Sequence, residues 1–115
     1  MPRLIDAKTA AVTLGLVLIS SNAVAETKAV ELAKYGGLFS GRAIACGVDT
    51  GAFASRLQNL VERVSINKAD KRRAWAEFAG VAKIAAAVQL ISPVEPCDLA
   101  IVHFRKAEQM LFKTR

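Results

Sequence analysis

Cys46 and Cys97 are the two thiols of this 115-residue chain, and His103 is its one imidazole. Residues of these types attack as thiolates, ligate metals or close a disulfide. A cysteine nucleophile needs a basic neighbour. His103 lies six residues after Cys97, a spacing that sets the two well apart around a helix. The sequence has no CxxC and no HExxH, and two cysteines with one histidine fall short of a zinc site. Neither a metal nor a cofactor is expected. The remaining use is a cross-link. Cys46 and Cys97 are 51 positions apart, and on the loop-entropy model closing that ring stabilises the fold by roughly 4 kcal/mol.

Other candidates for chemistry read as ordinary surface. Glu62 stands beside Arg63, and Glu77 follows Arg73 by one helical turn, the pattern of a solvated helix face. No carboxylate pair stands out as general acid and base. The run Gly36-Gly37-Leu38-Phe39-Ser40-Gly41-Arg42 has the glycine density of a phosphate-cradling loop. It lacks the terminal Lys-Ser/Thr and a preceding strand. No catalytic residue is assigned. The most suggestive cluster is basic: Lys68, Lys71, Arg72 and Arg73, offset by Asp70 and adjoining Trp75. It reads either as a solubilising face or as a dock for an acidic partner. With Trp75 as its one aromatic, it lacks the interleaved rings of a single-strand nucleic-acid platform. Lys68, Lys71, Arg72, Arg73 and Trp75 are therefore the candidate partner-binding residues.

These groups sit in a chain that begins like an export signal. Arg3 and Lys8 precede the uncharged stretch Ala10–Ile19, and Ala23-Val24-Ala25 offers the small-x-small pattern cut by signal peptidase. Residues 1–25 are expected to be a leader and residues 26–115 the exported domain, starting at Glu26. The stretch from Thr9 to Ala25 is interrupted by Ser20, Ser21 and Asn22 and falls short of the ~20 apolar residues of a spanning helix. An oxidising compartment, periplasmic or extracellular, suits a closed cysteine pair and argues against nucleic acid as partner. The whole chain carries 16 Lys and Arg against 10 Asp and Glu, a net charge of +6. Loss of Arg3, Asp6 and Lys8 with the leader leaves +5. At 53% hydrophobic and 23% charged residues the chain is too apolar for disorder.

The exported part reads as helix throughout. It has no useful run of alternating hydrophobicity and no Asn-Gly or Asp-Gly turn. The first helix is expected from about Thr27, as cap, to Ala45, bent or broken at Gly36-Gly37, with Gly47 ending it. A second starts at Asp49 or Thr50 and carries Phe53, Leu57, Leu60, Val61 and Val64 on one face. A third runs from Asn67–Asp70 to Ser92. Between Phe78 and Ile91 its one charge is Lys83, so it reads as the buried central helix, too short in that stretch to span a membrane. Pro93 and Pro96 end it. A fourth runs from Cys97 or Asp98 to about Phe112, with Ile101, Phe104 and Leu111 on the face of Cys97 and with Lys113 and Arg115 at its negative end.

The expected architecture is all-α, a small bundle of four to five helices closed by one long-range disulfide, after an N-terminal signal peptide. It resembles small periplasmic helical proteins with a single long-range disulfide, such as acid-stress chaperones and secretion-system immunity proteins. The resemblance lies in size, export and cysteine spacing and carries no residue-level assignment. The expected function is binding of an acidic partner protein in the cell envelope, as inhibitor, immunity factor or chaperone-like module. One alternative is a small periplasmic enzyme in which Arg42, Arg56 and Arg105 converge on a pocket. Another is an envelope protein held at an anionic membrane surface if the leader is retained.

Overall fold

The structure is a computed structural model that describes residues 26–113 as four helices: α1 Lys28–Ala45, α2 Gly51–Val64, α3 Lys68–Ile91 and α4 Cys97–Phe112. The leader expected at residues 1–25 and the cation expected at Arg115 lie outside the described residues. The first helix starts at the cap read from the sequence, Thr27, whereas Thr50 makes no side-chain cap bond to α2 and Asn67 caps α3. Thr27 Oγ1 accepts from the Val30 amide at 3.2 Å, and Asn67 Oδ1 accepts from the Asp70 amide at 2.8 Å. Gly47, at φ 89°, makes the left-handed turn after α1.

The helices run up, down, up and down, and α1 is the central one. It is parallel to α3, from Thr27 at Asp70 to Cys46 at Gln89. It is antiparallel to α4, from Cys46 at Cys97 to Tyr35 at Met110. The expected disulfide is present, Cys46 and Cys97 lying at bonding distance with Cα atoms 5.5 Å apart. One end of the bundle therefore holds the disulfide, the end of α3 and the Pro93–Pro96 turn. The other holds Thr27, Asp70 and the basic start of α3.

Two expectations need correction. The first helix is neither bent nor broken at Gly36-Gly37; α1 is continuous over 18 residues. Its glycines are where neighbours come closest. A Cβ at Gly36 would lie 2.4 Å from Leu57 Cδ2, one at Gly37 2.8 Å from the Phe78 carbonyl oxygen, and one at Gly41 2.3 Å from that of Ala82. Close packing offsets the helix propensity that glycine forfeits. The third helix, in turn, is not the buried centre. In α3 only Asp70, Ala74, Ala85 and Gln89 are buried, along the seam with α1. The small residues that let α1 be approached on several sides made it the hub, and α3 was left with one covered face. By length and composition the full 24 residues of α3 are enough to cross a membrane, longer than the Phe78–Ile91 stretch suggested.

The core is thin. Its large fully buried hydrophobics are Val30, Phe53, Leu57, Val61 and Phe104; the other buried hydrophobics are alanines. Phe53 packs on Phe104 and Phe112 with ring centres 4.9 and 5.7 Å apart. The α2 stripe is seated as its spacing predicts, with Phe53, Leu57 and Val61 buried.

Candidate docking surface

The stripe Tyr35, Leu38, Phe39 and Arg42 repeats at helical spacing along α1 and is left only part-covered by the other helices. A groove lies on each side of it, and the two meet at Arg42. The α1–α3 groove, about 210 Å³, is lined by Leu38, Val81, Ile84, Ala85, Val88 and Val94, with Arg42 its one charged residue. Beyond it the disulfide end stays apolar: Ile84 is 65% exposed, Leu90 69% and Ile91 82%. Ile44, Val94, Leu99 and Val102 add to that end. From Ile84 to Val94 the chain carries no charge.

The α1–α4 groove has a different chemistry. Arg42 and His103 converge on Glu95, with Arg42 Nη1 3.5 Å from Oε2 and His103 Nδ1 2.7 Å from Oε1. Glu95 is held in the proline turn, where its carbonyl accepts from Gln89 Nε2 at 2.6 Å. Tyr35, Phe39, Lys106, Ala107 and Met110 complete the lining. His103 thus has a carboxylate partner that sequence reasoning missed. The available signal was the placing of Glu95 in a rigid Pro-x-x-Pro turn that leads into the helix of His103. Through Glu95 the Arg42 and His103 side chains tie the turn to α1 and α4.

The basic run occupies the far end of the bundle. Lys68, Arg72 and Arg73 are exposed, and Lys71 pairs with Glu62 at 3.1 Å. Trp75 is half-buried, stacked on Phe78 with ring centres 4.4 Å apart and packed against the core. Asp70, within the run, accepts from the Ile66 amide at 2.9 Å and from the Thr27 hydroxyl at 2.7 Å. These bonds, and Arg73 nearby, hold its carboxyl below the usual range. Arg42, Arg56 and Arg105 do not share a pocket. Arg56 lies over the Phe112 ring at 4.3 Å, and Arg105 pairs with Glu108 at 3.2 Å.

Compared with protein families, with curated proteins and with solved structures, the chain matches none.

Proposed function

We propose that the protein is an exported helical binding module that takes a partner polypeptide on the apolar surface of its disulfide end. The observation that carries this reading is the exposed hydrophobic surface of α3 from Ile84 to Ile91. Contiguous apolar surface of this kind in a small domain marks a contact site. The α1–α3 groove beside it supplies shape for an anchoring side chain. The net charge of +5 that remains without residues 1–25 favours an acidic partner, with the exposed Lys68, Arg72 and Arg73 at the far end adding to the long-range attraction. An inhibitor, an immunity factor or a chaperone-like module would each use such a surface. Export is supported by the Ala23-Val24-Ala25 pattern and by the cysteine pair.

The test expresses the whole chain with a carboxy-terminal tag and recovers it from the periplasm. Glu26 is the expected first residue. A partner identified by co-purification is then titrated with the purified protein. Ile84→Glu with Val88→Glu should abolish binding, whereas Arg72→Ala with Arg73→Ala should slow association and reduce its salt dependence. Unchanged binding by the Ile84/Val88 variant refutes the reading. A second reading, contact with an anionic membrane surface, is favoured by the length and composition of α3. It predicts co-sedimentation with phosphatidylglycerol vesicles that the same variant loses.

A further inference from the structure

We propose that the α1–α4 groove binds an anionic amphiphile. Arg42 and Lys106 hold a carboxylate or phosphate head, and the apolar body lies over Tyr35, Phe39 and Met110. The site is separate from the α1–α3 surface proposed for a polypeptide partner, and the two share only Arg42. Its volume, about 400 Å³, lies in the range of small-molecule sites.

The charge balance of the lining selects the head. Arg42 and Lys106, the two fixed cations of the lining, face one carboxylate, Glu95, which the His103 ring also meets through Nδ1. Both Glu95 oxygens are already engaged, one by Arg42 and one by His103. Lys106 makes no ion pair among the described residues, since the neighbouring Arg105 and Glu108 pair with each other. Arg42 meets Glu95 through Nη1 alone, and a guanidinium has further donors in a planar fork suited to carboxylate or phosphate. An anion between Arg42 and Lys106 completes this balance; a cation would add to an existing excess.

The rest of the lining selects the body. Tyr35 and Phe39 meet edge to face with centres 5.0 Å apart. Met110, 65% exposed, approaches the Tyr35 hydroxyl at 3.7 Å across the groove. Methionine adapts to flexible hydrocarbon, and this part of the lining offers few of the directional hydrogen bonds that a sugar needs. The groove is also set in place before any ligand arrives. The Gln89–Glu95 bond fixes the turn, and Cys97 ties the start of α4 to α1, which lowers the ordering cost of binding.

The experiment uses the processed, oxidised protein with dodecanoate and dodecyl phosphate below their micelle concentrations, and dodecyltrimethylammonium as the control of opposite charge. Calorimetry should show one site for each anion and binding weaker by roughly tenfold or more for the cation. Amide shifts should centre on residues 35–42 and 103–110. Lys106→Glu, at an exposed position, should lower anion affinity by roughly tenfold with Tm unchanged. Arg42→Gln should lower anion affinity to a similar extent, with a fall in Tm from the lost Glu95 pair. Vesicles of phosphatidylglycerol separate two sources of the anion. Co-sedimentation lost in Lys106→Glu identifies a lipid headgroup, and binding to the monomeric amphiphiles alone identifies a free one. The proposal is overturned by absence of saturable binding, by equal affinity for the cation, by shifts confined to Ile84–Val94, or by full affinity in Lys106→Glu. None of these outcomes bears on the Ile84/Val88 test of partner binding.

Discussion

Replacing Gly41 by alanine should loosen the bundle, although alanine is the better helix former. A Cβ at Gly41 would stand 2.3 Å from the Ala82 carbonyl oxygen and 2.9 Å from Ala85 Cβ, where ordinary contact begins at 3.4 Å. The obstacle is backbone, which cannot rotate aside, so α3 must retreat from α1 by about 1 Å in an interior packed to crystal density. Overpacking of this kind costs up to about 3 kcal/mol. The alanine returns about 1 kcal/mol in helix propensity. The net loss is about 2 kcal/mol, and in a domain of this size Tm falls by roughly 8–16 °C. Gly80 is the internal control, because nothing lies within 4 Å of a Cβ placed there. Gly80→Ala keeps the propensity gain alone, and its Tm rises by about 4–8 °C. Gly36→Ala meets only the flexible end of Leu57 and falls between the two. Thermal denaturation of the oxidised proteins followed by circular dichroism measures all three. If Gly41→Ala melts at or above the parent, the close α1–α3 seam is wrong.

Three further outcomes are expected. Denatured parent protein should titrate no thiols, and Cys46→Ser with Cys97→Ser should lower the unfolding free energy in urea by roughly 4 kcal/mol; two titratable thiols would contradict the pairing. The bonds from the Ile66 amide and the Thr27 hydroxyl hold the Asp70 carboxyl below the ordinary aspartate range in the fold. Its stabilisation is therefore full above the unfolded value and is lost as pH falls through the lower, folded one. Asp70→Asn should flatten the acid limb of Tm against pH below about pH 4, and an unchanged limb would refute the role of the Ile66 and Thr27 bonds. Trp75→Ala should cost about 2 kcal/mol, roughly half the penalty for a fully buried tryptophan. Arg72→Ala should stay within about 0.5 kcal/mol of the parent, so a deficit from Trp75 reports packing as well as any contact.

Local rules made much of the fold readable. Thr27, Asn67, Gly47 and the prolines mark helix boundaries by chemistry within a few residues. The Phe53–Leu57–Val61 spacing needs only the helical period. The Cys46–Cys97 link follows from the exclusion of other uses for two thiols. What stayed hidden depends on how helices choose neighbours. Gly36 and Gly37 read as a break because their cost is local, whereas the contacts that offset it come from Leu57 and Phe78, far along the chain. The apolar half of α3 read as core because periodicity cannot tell a face covered by another helix from one left open. The Arg42–Glu95–His103 clasp joins two helices and a turn across up to 61 positions, and no short-range pattern announces it.

The open face of α3 and the thin core have one origin. Small residues on α1 let its neighbours approach closely, and close approach buries backbone and alanine more than large side chains. The bundle therefore gains little by turning Ile84, Leu90 and Ile91 inward, since the seam with α1 has no room for them. The disulfide makes this arrangement tenable by tying the end of α1 to the start of α4, where the core is poorest in large residues. Stability then does not depend on the apolar side chains of the disulfide end. A substitution such as Ile84→Glu should accordingly leave the unfolding free energy within about 0.5 kcal/mol of the parent, and Tm nearly unchanged, while removing partner binding. A large fall in Tm for that variant would mean that the face is core after all, and the docking proposal would lose its foundation.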